Sequence, residues 1–84
     1  MPPETYHHVH ILVSETDPSS HYTGCTTDLP GRLKKHNQGG VSQTEKYRPR
    51  RIETVVRFTL ADKARAFETY LKSGSGREFA RRHF

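Results

Sequence analysis

The sequence predicts an α+β domain: a small three-stranded, mainly antiparallel sheet flanked by helices, in the order β-β-α-β-α-α. Three observations carry that expectation. β-branched and apolar residues gather in three short runs, 8–13, 21–25 and 52–60. Apolar residues recur at helical spacing as Leu29 and Leu33, and again as Leu60, Ala64, Phe67 and Leu71. Between these runs lie Ser, Asp, Asn, Gly and Pro clusters of the kind that turn a chain.

Taken in order, residues 1–5 with Pro2-Pro3 read as a frayed lead-in, which leaves 6–84 as a single domain. The first strand is followed by Glu15-Thr16-Asp17-Pro18-Ser19-Ser20, so the second should return as the other arm of a hairpin. Thr27 or Asp28 then caps a helix that tolerates Pro30, because first-turn N–H groups have no intrahelical partner. Asn37-Gln38-Gly39-Gly40 stops it. Residues 41–51 form a basic, irregular loop containing Pro49, and the third strand follows. The second helix spans 62–72, and at ~100° per residue Glu68 lies at the edge of its apolar stripe. Ser73-Gly74-Ser75-Gly76 interrupts it. A short last helix runs from Arg77, either capped by Ser75 or offering its N-terminal N–H groups to a phosphate.

A chain of 84 residues builds one small core, burying only ~60–65% of its unfolded surface. Mean hydropathy is −0.91, yet four tyrosines, four phenylalanines and the periodic segments argue against disorder. No apolar run approaches the ~20 residues of a membrane helix. With Cys25 alone and no secretory layout at the N-terminus, a cytoplasmic location is expected. The net charge of +5 is unevenly spread: residues 1–31 carry −4 and no base, whereas 32–84 carry +9. A basic face of that kind attracts phosphate backbones by counterion release, or simply keeps a surface soluble.

Function enters through an ordered set of motifs. Tyr22-Thr23-Gly24 is followed by Arg32 ten residues on, then by His36-Asn37, and later by Phe67-Glu68-Thr69-Tyr70-Leu71. In this order they resemble the GIY-YIG nuclease family over nearly the whole chain. The resemblance is to the catalytic module found in excinucleases and in some homing and restriction endonucleases. It implies a metal-dependent DNA endonuclease, with Mg²⁺ or Mn²⁺ as cofactor. Low sequence specificity is expected, with structure-selective action in repair or recombination, and a partner protein for target choice. DNA against RNA stays open.

The resemblance gives each residue a role that its chemistry can support. Glu68 would hold the metal, one carboxylate sufficing if waters and phosphate oxygens complete the octahedron. As an ordinary helix acid it would instead pair with Lys72 at i+4. Arg32 would clamp the scissile phosphate through its planar, permanently charged fork. His36, one turn further along, would shuttle a proton or touch the phosphate. Tyr22 would take a proton from the attacking water, provided nearby cations favour its phenolate. Gly24 would leave the phosphate room.

The first motif departs from the family. Where its tyrosine should stand on the first strand, this chain has His10. An imidazole could replace the phenol as orienter or base, or the site has decayed into a non-catalytic nucleic-acid-binding module. His7, His8 and His10 invite a zinc reading, since His8 and His10 share a strand face, but with no cysteine partner and no HExxH pattern they match zinc poorly. Lys35, Arg48, Arg50, Arg51, Lys72 and Arg77 are expected to track the nucleic-acid backbone without reading bases.

Overall fold

The computed structural model describes residues 5–41 and 45–84. The lead-in at 1–4 and part of the basic loop, 42–44, lie outside the described residues. The elements are β1 (His7–Ser14), β2 (His21–Thr26), α1 (Leu29–Asn37), a 3₁₀ turn (Glu45–Tyr47), β3 (Arg50–Phe58), α2 (Ala61–Lys72) and α3 (Gly74–His83). The strands form one antiparallel sheet in the order β2-β1-β3, so the expected class and element order hold. β1 occupies the centre, and six of its eight residues are buried: Val9, Ile11, Leu12 and Val13, but also the polar His10 and Ser14.

Alternation along β1 divides the sheet into two unlike faces. Val9 and Ile11 point toward α2 and α3, where they join Ala64 and Leu71 in the core. Phe58, Phe67 and Phe79 pack around them, with Phe67 5.6 Å from Phe58 and 6.4 Å from Phe79 between ring centres. His10, on the opposite face, meets β2 and α1.

The C-terminal helices differ from expectation. α3 begins at Gly74, not Arg77, and its cap is Ser73, not Ser75: Gly76 N–H donates to Ser73 Oγ at 3.1 Å. Ser73 also closes α2, its N–H donating to the Tyr70 carbonyl at 3.0 Å, so no separate turn is needed. Gly76 permits this crossing, because a Cβ there would collide with the Tyr70 carbonyl and the Leu71 backbone. Leu60 caps the start of α2 and is 61% exposed, so it leaves the apolar stripe that begins at Ala64.

Candidate active site

α1 is set directly against the end of β2. Asp28 caps it, its Oδ1 accepting from Gly31 N–H at 3.2 Å, with Pro30 in the first turn as anticipated. Its far end stops at Gly39, whose φ of +78° suits glycine, as Gly39 and Gly40 donate to the His36 and Lys35 carbonyls. Asn37 then fastens the helix to β3: its Nδ2 donates to the Arg50 carbonyl at 3.0 Å and its Oδ1 accepts from Arg50 N–H at 2.7 Å. With both ends fixed, Leu29 and Leu33 are half-buried, and His36 completes the inner face, fully buried.

Two groups of candidate residues result. The first lines a cleft of about 350 Å³ where the start of β1 and the end of β2 meet α1 and α2. Arg32 from α1 and Glu68 from α2 share it, and Thr26 and Thr27 also line it. Glu68 is half-buried, and its Oε2 accepts from Lys72 Nζ at 3.1 Å. The ordinary i+4 pair anticipated for a helix glutamate is therefore formed, at a place that also faces an arginine across a cleft.

The second group lies under the sheet. His10 is 0% exposed and pairs with Gly24 across the hairpin. A Cβ on Gly24 would stand 3.0 Å from both His10 Nε2 and Tyr22 Cε1, so glycine is what lets the two rings approach. Tyr22 in turn lies over His36, ring centres 4.5 Å apart. His10 Nδ1 is 3.3 Å from the His8 carbonyl, an acceptor, which assigns the proton to Nδ1 and leaves Nε2 bare. That Nε2 is buried with no hydrogen-bond partner among the described residues.

Both imidazoles are held neutral. Burial lowers His10 below the ordinary histidine value against the opposing hydrogen bond to His8, with the Arg32 charge adding to the lowering. Burial, then the Arg32 charge, takes His36 down to about 4. The same guanidinium thus acts on the cleft and on the buried rings, and Glu68 pulls His10 weakly the other way. The expectation that His36 touches phosphate or carries a proton is corrected: sealed from solvent and neutral, it supports the Tyr22 ring instead.

The basic residues do not form one track. Arg50 is corrected outright: it is 3% exposed, with Nη2 donating to Ser20 Oγ at 2.7 Å and Nη1 to the Ser20 carbonyl at 3.2 Å. Its guanidinium locks β3 to the hairpin turn and presents nothing to a backbone. Lys35, Arg48, Arg51 and Arg77 are exposed. Arg51 pairs with Val13, whereas the cleft is at His7, so they lie about 20 Å apart along the strand. Lys72 belongs to Glu68, and Arg77 lies in the first turn of α3.

The cleft also holds three residues to which the family motifs assign no role: Arg65, His7 and Cys25. Arg65 precedes Glu68 by three on α2, and that spacing alone puts both on one helical face. His7 has only a weak zinc reading in the sequence, and among the described residues no cluster of His, Cys, Asp and Glu could hold a metal by itself.

A sequence model of the GIY-YIG catalytic domain matches residues 6–81. The chain belongs to the GIY-YIG family. It is also similar to a protein named structure-specific endonuclease subunit SLX1, from Scheffersomyces stipitis, with 41% identity over 58 residues. That match covers 62% of this chain and 17% of the relative, so the chain spans about a sixth of the relative's length.

Proposed function

We propose that the protein is a metal-dependent DNA endonuclease that hydrolyses phosphodiester bonds with little regard for sequence and some regard for DNA structure. The observation that carries this is Arg32 from α1 and Glu68 from α2 lining one cleft at the end of β2, the strand that carries Tyr22. Arg32 holds two phosphate oxygens and meets the charge that grows on them as water attacks. Glu68 is the one acid among the residues lining the cleft, which fits a hydrated Mg²⁺ or Mn²⁺ that takes its other ligands from water and phosphate. Such an ion would neutralise charge on the phosphate oxygens. Lys72, paired with Oε2, would compete with such an ion for the carboxylate. Tyr22, half-buried rather than sealed, is the better base for the water than His10, which no solvent reaches. His10 and His36 position the phenol from beneath.

The relative named as a structure-specific endonuclease subunit favours structure-selective cleavage and a partner protein for target choice. Supercoiled plasmid tests the core of the proposal: nicking with Mg²⁺ or Mn²⁺ that stops with EDTA is expected, and an inert protein overturns it. One observation favours a second reading, a non-catalytic nucleic-acid-binding module: His10 stands in the tyrosine's place, buried, with Nε2 unpaired among the described residues. If wild type is inert and His10→Tyr cleaves, that second reading is correct.

A further inference from the structure

Beyond Lys72 a larger groove opens on the α2–α3 side of the sheet, about 780 Å³ in volume. That lies within the ~300–1,000 Å³ of typical small-ligand sites. Ile11, Leu71 and Ala80 give it an apolar floor, and Phe84, 41% exposed, adds an aromatic wall, edge-on to Phe79 at 5.4 Å. Its helical side is cationic, carrying Lys72, Arg77 and Arg81. Arg81 is engaged by Glu78, with Nη2 2.6 Å from Oε1, whereas Arg77 has no ion-pair partner among the described residues. The strand side carries hydrogen-bonding groups: Ser19, Thr23, and His21 with Glu53, whose Nε2 and Oε2 are 3.3 Å apart.

We infer that this groove seats an unpaired nucleotide of the strand whose phosphate Arg32 holds, an inference that rests on the nuclease reading for the origin of that strand. A nucleotide matches the three layers in turn. Its phosphate is anionic and meets Arg77, with Lys72, paired to Glu68, at the border of the groove. Its base has an apolar π face for the floor and for Phe84, and a polar edge for Thr23, Ser19 and the His21–Glu53 pair. A base inside a duplex is stacked on both faces and cannot offer one to the floor, so the groove selects unpaired nucleotides. An acidic peptide would satisfy the cations, leave the floor uncovered and bring carboxylates toward Glu53. Lys72 connects the two sites, since its ammonium touches Glu68 in the cleft while its side chain borders the groove.

The test is binding of a tetrathymidylate to the ¹⁵N-labelled protein in EDTA, where nothing is cleaved. Amide shifts are expected at Thr23, Leu71, Ala80 and Phe84, while a blunt duplex should shift Arg32 and Glu68 and leave the floor unmoved. R77E combined with R81E should weaken the tetranucleotide at least ~10-fold. Thr23→Phe, which fills the groove without adding charge and suits a strand, should abolish the floor shifts. Shifts elsewhere overturn the inference, as do wild-type affinity in both variants, equal floor shifts from the duplex, or tighter binding by an oligoglutamate. A protein that nicks no plasmid yet takes tetrathymidylate into the groove keeps this inference and loses the nuclease reading. Nicking with a silent groove does the reverse.

Discussion

The two faces of the central strand solve different problems. Toward α2 and α3, Val9 and Ile11 bury against Ala64, Leu71 and a set of phenylalanines, all satisfied by contact alone. Toward β2 and α1, the same strand buries His10, and α1 returns a second buried imidazole, His36, against Tyr22. Buried imidazoles cost stability unless their polar atoms are matched, and His10 Nε2 is unmatched among the described residues. The first face holds the fold together; the second keeps polar groups in place at some expense to it. Arg32 and Glu68 reach across the division, because the cleft lies at the sheet's end, where the helices of both faces come within reach of one another.

The sharpest way to break this division is Glu68→Gln. On the nuclease reading it removes the carboxylate that lines the cleft, and plasmid cleavage should fall by about 10³-fold or more. Stability should hardly change, since the lost Lys72 pair is exposed and worth only ~0.3–0.5 kcal/mol. Cleavage at the wild-type rate would show that Glu68 is an ordinary helix acid. A large drop in melting temperature would show that the two faces are not separable.

Leu71→Ala probes the opposite face. Leu71 is 4% exposed within the core cluster, and truncation should cost ~2–5 kcal/mol by denaturant unfolding. In a chain of this size that is a large share of the total. Below the new melting temperature, the rate of plasmid cleavage by the folded fraction should change little. A stability loss under ~1 kcal/mol would mean that this face is not the main support.

How much of this could be read from the sequence depended on whether the signal was periodic. The strands, α1 with its Asp28 cap and the element order follow from alternation, apolar spacing and turn chemistry, all local. Glu68's place at the stripe edge was legible for the same reason, and Arg65 was equally available at i−3. Ser73 was not, because its double role depends on a helix crossing that Gly76 allows, and no local preference records a crossing. Arg50 looked like its neighbours Arg48 and Arg51; only the hairpin turn folded against it makes it structural. The burial of His36 was hidden too. Spacing of three from Leu33 pointed inward, but a histidine beside two lysines reads as surface.

The two imidazoles give the polar face a pH signature that the apolar face lacks. His36 titrates at about 4 when folded, against 6.5 as its ordinary value, so between those values the unfolded chain binds more protons. Its neutral form is fully present above pH ~6.5, and stability falls as pH drops from there toward ~4. The loss approaches about 3 kcal/mol at the low end, with His10 contributing in the same direction. Asp17 and Glu78 are lowered as well, by hydrogen bonds from Ser19 and from Arg81. Their contributions begin to be lost only as pH falls through their ordinary values of 3.8 and 4.5, at the foot of that range. Thermal melts from pH 7 to 4 should therefore show a steep decline, and His36→Phe should flatten much of it. An unchanged slope in that variant would assign the decline elsewhere.

The smallest expected effect is the most discriminating for the cleft. Lys72 Nζ sits 3.1 Å from Glu68 Oε2, one of the two oxygens open to a metal, and its side chain is 54% exposed. Removing it as Lys72→Ala should cost no more than ~0.5 kcal/mol of stability, the usual worth of an exposed i+4 pair. It should also free the carboxylate. If Glu68 is a metal ligand, Mn²⁺ binding followed by calorimetry should tighten about two- to five-fold, because the ion no longer displaces an ammonium worth a few tenths to one kcal/mol. If Glu68 serves only its helix, Mn²⁺ affinity stays where it was, while the small stability loss is the same. Because the fold reports nearly nothing in this variant, the metal titration reads the carboxylate alone.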